Sequence, residues 1–219
     1  MHVDNERAIK AKVIDALRRE NRRWRLPVIA NEYCVGTTGV RADLALAFST
    51  PQREFVGVEI KSAFDTLRRL PHQLTTYSSV FDRVIVVAAT RHQNAVRQYR
   101  IPNLEIWELE KSGKLVRVRS AVTRLQRAEF SPFLTQRERN RYKGLIAAGP
   151  EGERDAFFAA FEDRYGDVSA EFWSRTQGRR IDKDDVNELS RFLPQRAQEQ
   201  ETANVYAKKL SSWHEMEAA

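Results

Sequence analysis

Two apolar segments of this sequence, each typical of a buried β-strand, carry charged residues that such strands rarely hold. Asp43 begins the run 43–48, and Glu59 follows the run 55–58. The intervening chain is long enough for a strand, a turn and a return strand. Glu59 and Lys61 share one strand face because side chains alternate along a strand. We therefore expect two carboxylates and one ammonium to converge where two neighbouring strands meet.

Such a convergence suits the hydrolysis of phosphodiester bonds. Carboxylate oxygens are ligands that magnesium prefers, and a lysine can orient a metal-bound water or stabilise the hydroxide that forms from it. The alternative is an ion pair between Glu59 and Lys61 on an edge strand, which needs no metal and contributes little stability. Both interpretations require the two side chains to be neighbours.

A helix opened by proline is predicted over 71–81, directly after these strands. Leu74, Tyr77 and Phe81 form its apolar stripe. Gln73 lies four positions before Tyr77 and therefore on the same helix face. Two interpretations stay open: Tyr77 belongs to the core while Gln73 is solvated, or both side chains reach the converging acids.

With these residues the sequence resembles the PD-(D/E)xK nuclease superfamily. Asp43 matches the first acid, although Ala42 replaces the usual proline, and Glu59-Ile60-Lys61 matches the second half-motif. The Gln-x-x-x-Tyr helix is similar to that of the RecB-like branch. The order of motifs over 39–77 is similar to that of a poorly characterised bacterial and phage group in the superfamily. The resemblance implies an α/β fold, with a restriction-endonuclease-like αβββαβ core around a central mixed sheet.

The function implied by this resemblance is that of a magnesium- or manganese-dependent nuclease acting on DNA. The implied catalytic residues are four charged side chains and two from the predicted helix: Asp43, Glu59, Lys61, Glu32, Gln73 and Tyr77. The implied metal ligands are three carboxylates and one main-chain carbonyl: Asp43, Glu59, Glu32 and the carbonyl of Ile60. Lys61 would position or activate the attacking water. The alternative for Glu32 is a carboxylate at a helix end or strand edge.

Positive charge is concentrated in the part of the chain that holds these motifs. Residues 1–120 carry 21 Lys and Arg against 13 Asp and Glu, whereas the remainder carries 16 against 17. The candidates for nucleic-acid contacts are three arginines: Arg41, Arg68 and Arg69. Arg41 has an alternative role as the ion-pair partner of Glu32 or Asp43. This distribution suits DNA as a partner, although basic helices are often only solvated faces.

The pattern predicts two parts, a nuclease-like core over 1–120 and a helical extension over 121–219. The predicted core elements are helices over 6–22 and 92–99 and strands over 28–35, 43–49, 54–61, 82–89, 104–109 and 115–119, with a turn at 49–52. In the extension, apolar residues recur at helical spacing, as in Phe157 and Phe161 or Val186 and Leu189. Further predictions there are Asp182 as an N-cap, Phe192 and Leu193 on an apolar face, a linker over 195–200 and a last helix ending near Trp213. The extension would hold DNA, a partner protein or a second copy in a homodimer.

Composition excludes several classes of protein and of binding site. The single cysteine, Cys34, excludes an intrachain disulfide, and with four histidines it offers no zinc spacing. No apolar segment is long enough for a membrane, and the N-terminus lacks a signal-like region, so we expect a cytoplasmic protein of a bacterium or phage. Two other functions stay open: a catalytically weak or silent module that binds nucleic acid or protein, and RNA cleavage.

Overall fold

The computed structural model describes residues 5–21, 23, 25–49, 53–122 and 129–189. The strands are β1 (Val28–Cys34), β2 (Arg41–Phe48), β3 (Glu54–Lys61), β4 (Arg83–Ala89), β5 (Leu104–Leu109) and β6 (Leu115–Arg119). The helices are α1 (Glu6–Glu20), α2 (Leu70–Ser78), α3 (Gln93–Val96), α4 (Gln136–Arg141), α5 (Lys143–Ile146), α6 (Pro150–Arg175) and α7 (Asp185–Glu188). Short 3-10 turns cover Thr90–His92 and Ser131–Phe133.

In the described part of the chain the strands form one six-stranded mixed sheet, whose spatial order follows the chain from β1 to β6. The pairs β1–β2, β2–β3 and β5–β6 are antiparallel, whereas β3–β4 and β4–β5 are parallel. The predicted αβββαβ order, the central mixed sheet and the C-terminal helical region are confirmed. In the β2–β3 register Leu44 lies opposite Val58, so Asp43 and Glu59 occupy the next positions along the two strands.

Two apolar cores cover the two faces of the sheet. The first contains α2 and the aromatic residues of the N-terminal half of α6, which pack on Phe55 from β3. The second contains α1, whose predicted stripe of Ile9, Val13 and Leu17 is buried against β3 and its neighbours. Hence β3 is buried on both faces, and any charge on it lies in the interior.

The long helix α6 joins the two cores by running along the edge strand β1. Phe161 belongs to the first core and Phe172 to the second. The Ser169 hydroxyl accepts from the Ile29 amide at 2.8 Å, and Trp173 Nε1 donates to the Pro27 carbonyl at 2.8 Å. These bonds satisfy main-chain groups at the sheet edge that would otherwise face water or another strand.

Glycine at position 57 allows α2 and the turn after it to approach β3. A Cβ on Gly57 would lie 2.4 Å from the Phe81 ring, closer than any van der Waals contact. The Phe81 ring also packs edge-on against Tyr77, with centroids 5.6 Å apart. The close contact at Gly57 thus fixes where α2 places Tyr77 relative to β3.

Several boundaries differ from the sequence-based expectations for local reasons. β2 begins at Arg41, so Asp43 lies inside a strand rather than at its start. α2 ends at Ser78 because the following amides of Val80 and Phe81 both fold back on the Tyr77 carbonyl. The helix predicted over 92–99 is reduced to a 3-10 turn and the four-residue α3.

The C-terminal predictions are covered only in part. The N-cap of α7 is Asp184 rather than the predicted Asp182, because the helix begins only at Asp185. The Asp182 carboxylate still accepts from the amides of Asp184 and Asp185 in the turn before the helix. The positions 50–52 of the predicted turn, Phe192, Leu193, the linker and the last helix lie outside the described residues. In the described ranges, none of the helices combines the length and apolar character needed to cross a bilayer.

Candidate active site

Glu59 lies at the centre of a cluster of polar side chains near the C-terminal end of β3. It is 2% exposed, and both of its carboxylate oxygens are engaged. Oε1 accepts from Lys61 Nζ at 2.6 Å and from Gln73 Nε2 at 2.7 Å, and Oε2 accepts from the Tyr77 hydroxyl at 2.7 Å. The predicted convergence of these residues is therefore observed. The pair Glu59–Lys61 is an ion pair, but β3 is a central strand rather than an edge strand.

Helix α2 supplies the two side chains that hold this cluster in place. Gln73 bridges it, because its amide nitrogen donates to Glu59 while its oxygen accepts from Lys61 Nζ at 3.1 Å. Tyr77 is fully buried, and its hydroxyl lies 2.7 Å from both Glu59 Oε2 and the Arg41 carbonyl. Burial and the charge of Glu59 raise the pKa of Tyr77, so it remains a neutral donor. Tyr77 thus belongs both to the core and to the site.

Asp43 faces the same point from β2. Its Oδ2 accepts from the Ile60 amide at 2.6 Å, which ties the first acid to the main chain of the second half-motif. Burial and the nearby charge of Glu59 hold the pKa of Asp43 well above its ordinary range, against the opposing effects of Lys10 and the Ile60 amide. Carboxyl groups whose pKa is strongly perturbed by burial and by neighbouring charge are concentrated at functional sites.

Helix α1 brings a buried lysine to the other side of Asp43. The Lys10 side chain is 3% exposed, and its Nζ lies 2.8 Å from Glu6 Oε1 and 3.0 Å from Asn31 Oδ1. It also pairs with Glu32. Burial lowers the pKa of Lys10, but the hydrogen bonds to Glu32 and Glu6 outweigh this and raise it. Lys10 is therefore a fixed positive charge inside a group of acids.

Glu32 has a backbone conformation that few residues other than glycine adopt. Its φ is 56°, in the left-handed region, between the paired residues Asn31 and Tyr33 of β1. The carboxylate turns toward Lys10, and its Oε2 lies 2.9 Å from Arg41 Nε. Arg41 therefore takes the ion-pair role that the sequence left open. Strained backbone of this kind is concentrated at functional sites.

The donor set at this end of β3 suits a hard divalent cation. Carboxylate oxygens of Glu6, Glu32 and Asp43 lie within 4.8 Å of one another. The whole cluster contains four acids and three bases: Glu6, Glu32, Asp43, Glu59, Lys10, Lys61 and Arg41. It therefore carries an excess negative charge, which agrees with the raised pKa of Asp43. Magnesium and manganese fit oxygen ligands of this type.

The structure adds two residues that the sequence analysis missed, Glu6 and Lys10. One signal was present: Lys10 stands three, four and seven positions before Val13, Ile14 and Leu17, at an apolar position of the helix. A lysine on a buried helix face requires buried acids near it. The sequence could not show which acids these would be, because they lie in β1 and on the preceding turn of α1.

The other predicted nucleic-acid residues lie outside this cluster. Arg68 and Arg69 are exposed and immediately precede α2. In the described part of the chain, neither guanidinium makes an ion pair. They are therefore open to phosphate groups, whereas Arg41 is already paired with Glu32.

The fold and the site define an α/β protein with a six-stranded mixed sheet and an acidic centre at the C-terminal end of the interior strand β3. The chain belongs to the family described as bacteriophage P4 protein cII, whose model matches residues 1–190. Protein cII of Enterobacteria phage P4 is 31% identical over 115 residues, which cover 50% of this chain and 42% of that protein. The chain thus matches less than half the length of this relative.

A weaker structural likeness connects the chain to the SPO1766 protein of unknown function from Silicibacter pomeroyi. The two are 16% identical, with a TM-score of 0.40 over 55% of this chain and 74% of the other. A likeness at this level supports no statement about the site.

Proposed function

We propose that this protein is a metal-dependent nuclease that hydrolyses DNA phosphodiester bonds, with magnesium or manganese as cofactor. The observation that supports this most is the cluster around Glu59. In it, Lys61 and Gln73 bond to one carboxylate oxygen and Tyr77 to the other, with Asp43 beside them on β2. Several acids buried together with fewer bases are costly to the fold, and a bound cation would offset that cost.

The proposed metal ligands are Asp43 and Glu59 with the Ile60 carbonyl, while Glu32 and Glu6 assist directly or through water. When bound, the metal would polarise the scissile phosphate and lower the pKa of a bound water. Arg41 and Lys10 hold the carboxylate of Glu32 in place. Tyr77 and Gln73 do the same for Glu59, so that the acids need little rearrangement.

Lys61 is the proposed orienting group for the attacking water. Its ammonium has three N–H donors, of which Glu59 and Gln73 take two. The third is left for the water or for a phosphate oxygen. As the water oxygen bonds to phosphorus, the water gives up one proton to solvent, one P–O bond breaks, and the leaving oxygen takes up one proton from solvent. The positive charge of Lys61 stabilises the pentavalent phosphorus during this step.

DNA is the proposed partner because of the charge on the surface beside the site. Arg68 and Arg69 are exposed at the start of α2, and residues 1–120 carry a net charge of +8. We further propose an intracellular location, and a homodimer through the helical region as the arrangement for cutting two strands. The division of the chain at residue 120 into core and extension stays a prediction.

The experiment is cleavage of labelled linear, closed circular and single-stranded DNA with magnesium, manganese or EDTA. Lys61→Met removes the orienting ammonium, and Lys111→Met is its matched control on the exposed β5–β6 turn. We expect metal-dependent cleavage that Lys61→Met reduces by at least about 100-fold, while Lys111→Met leaves it unchanged. Full activity of Lys61→Met, or cleavage in EDTA, would contradict the proposal. RNA substrates in the same assay separate deoxyribonuclease from ribonuclease activity.

A catalytically silent module that binds nucleic acid or protein is the alternative, and one observation favours it. Lys10 and Lys61 already place ammonium groups on Glu6, Glu32 and Glu59. These pairs neutralise part of the negative charge without a metal. Thermal unfolding with millimolar magnesium separates the two functions: stabilisation that Asp43→Asn abolishes supports the enzyme, and no stabilisation supports the silent module.

A further inference from the structure

The loop between β3 and α2, residues 62–69, presents an aromatic ring to solvent beside the candidate site. Phe64 is 77% exposed, although phenylalanine is among the residues most often buried. It lies three residues after Lys61, so its Cα is within about 11 Å of the Cα of Lys61. We call residues 62–69 the Phe64 loop. A single exposed apolar residue usually needs no explanation. Here, however, the main chain on both sides of the ring is held by hydrogen bonds and arginines surround it.

The main chain of the Phe64 loop is fixed on both sides of the exposed ring. Asp65 Oδ2 accepts from the Ser62 amide at 2.7 Å and from the Ser62 hydroxyl at 2.6 Å. The Phe64 amide donates to the Ser62 hydroxyl at 3.3 Å, and Arg91 donates to the Ala63 carbonyl at 2.7 Å. The loop therefore holds Phe64 outward at little conformational cost on binding, as a contact residue requires.

The charge around the ring is positive. Arg68, Arg69 and Arg91 lie on or against the loop, and all three are exposed. The one acid of the loop, Asp65, turns its carboxylate toward Ser62, from which it accepts two hydrogen bonds. A base-stacking ring among arginines, adjacent to a site for phosphodiester chemistry, is the composition of a surface that binds single-stranded nucleic acid.

We propose that the Phe64 loop binds a single DNA strand, with the Phe64 ring stacked on an unpaired base and Arg68 and Arg69 on the flanking phosphates. This inference rests on the proposed function in taking DNA as the partner, and it specifies the form of the substrate. Bases in an intact duplex are stacked on one another and cannot offer a face to the ring. The preferred substrate thus has a single-stranded segment at the site.

The test is binding of fluorescent single-stranded and duplex oligonucleotides in EDTA, where metal-dependent cleavage cannot occur. Phe64→Ala is expected to weaken single-strand binding about 5- to 150-fold, the range for loss of one stacked base, and to change duplex binding little. Phe64→Trp retains an aromatic face and should retain the affinity. Val122→Ala is the matched control, since Val122 is 85% exposed elsewhere on the protein.

A second readout reports stacking itself. An oligonucleotide carrying 2-aminopurine should lose fluorescence on binding to the wild type and to Phe64→Trp, but not when bound to Phe64→Ala. Arg68→Gln combined with Arg69→Gln should lower the salt dependence of binding by about 1.4 in log–log slope for single strands, while the fluorescence loss on saturation remains.

Three outcomes would overturn the inference: unchanged single-strand affinity of Phe64→Ala, an equal loss for duplex, or unchanged 2-aminopurine fluorescence in the wild type. The first would direct attention to a protein partner for the exposed ring. Failure of the nuclease proposal alone would give a different result. The wild type would still bind single strands in a way that depends on Phe64, but it would cut no substrate with any metal.

Discussion

The strand β3 carries a buried glutamate near each end, and the two ends differ in how the charge is balanced. At the N-terminal end, Arg83 donates two hydrogen bonds to Glu54, of 3.0 and 3.1 Å. Arg154 likewise donates two hydrogen bonds to Asp82. Arg83 and Arg117 both reach Glu105. Three buried acids, Glu54, Asp82 and Glu105, thus meet three arginines, of which Arg117 also pairs with the exposed Glu20 at the surface. At the C-terminal end, four acids meet two lysines and one arginine, and the pKa of Asp43 is raised.

We propose that the arginine-rich cluster is structural and that the cluster around Glu59 is functional. The planar guanidinium of arginine binds both oxygens of a carboxylate through two parallel bonds, which suits a permanent link between α6 and the sheet. The ammonium of lysine is a point charge with rotatable donors, so part of its bonding capacity stays available. An excess of acids beside lysines is therefore expected to attract a cation, and balanced arginine pairs are expected to stabilise the fold.

The largest expected effect is at the arginine end. Arg154→Met leaves the Asp82 carboxylate buried without its partner, and breaking a buried pair in this way costs about 3–5 kcal/mol. Urea unfolding followed by circular dichroism measures the loss. The magnesium-dependent stabilisation of the folded variant should match that of the wild type. A loss below about 1 kcal/mol would show that this cluster is not structural.

A smaller effect is expected where α2 meets Glu59. Tyr77→Phe removes the hydroxyl that bonds to Glu59 and lies beside the Arg41 carbonyl, so a buried carboxylate oxygen loses its donor. The free energy of unfolding should fall by about 1–3 kcal/mol. Tyr142→Phe, which removes a hydroxyl bonded to the exposed Asp163, is the control and should cost less. Equal losses would argue against a special role for the buried hydroxyl.

Replacing Asp43 is expected to raise the free energy of unfolding, whereas the two preceding substitutions lower it. Because the folded protein raises the pKa of Asp43, the wild type loses stability as the pH rises from about 4 through that raised value. Asp43→Asn avoids this loss, so in EDTA it should be more stable than the wild type at pH 7 by about 1 kcal/mol. The gain should disappear near pH 4.

Asp184→Asn is the control for this substitution, since Asp184 is exposed at the start of α7. In EDTA at pH 7 it should be as stable as the wild type. Magnesium should reverse the order at pH 7 by stabilising the wild type but not Asp43→Asn. A destabilised Asp43→Asn in EDTA would contradict the excess of negative charge at this end.

The smallest effect is expected for a surface pair that belongs to neither cluster. Arg175 pairs with Glu171 on α6 and with Glu188 on α7; Arg175 and Glu171 lie largely in solvent, and Glu188 is partly exposed. Screening by water leaves such pairs with little net effect. The melting temperature of Arg175→Ala should not differ measurably from that of the wild type. A clear fall would show that distance from the two buried clusters is a poor guide to stability.

Much of the fold could be predicted because it depends on local periodicity. The boundaries of β3, β5 and β6 follow from apolar runs and from the turn at Gly113, which the structure shows with a φ of 78°. The shortened α3 was missed because its sequence permits a longer helix and only the surrounding structure ends it. The path of α6 along β1 depends on contacts such as Ser169 with Ile29, which are 140 positions apart.

The candidate site was predictable to the extent that strand alternation and helix spacing determine it. Glu59, Lys61, Gln73 and Tyr77 meet as those periods require. The left-handed backbone at Glu32 was not predictable, because nothing local marks a glutamate for that conformation. The partnership of Lys10 with this residue arises only when α1 packs across the sheet, so its discovery needed the structure.

The most direct test of the comparison uses the same substitution at both ends of β3. Glu54→Gln and Glu59→Gln each remove one buried negative charge from the same strand. Magnesium-dependent DNA cleavage per folded molecule is measured for each variant beside its urea unfolding curve. We predict that Glu59→Gln folds but does not cut DNA, and that Glu54→Gln is less stable but cuts at the wild-type rate. Cleavage by Glu59→Gln at the wild-type rate would contradict the account.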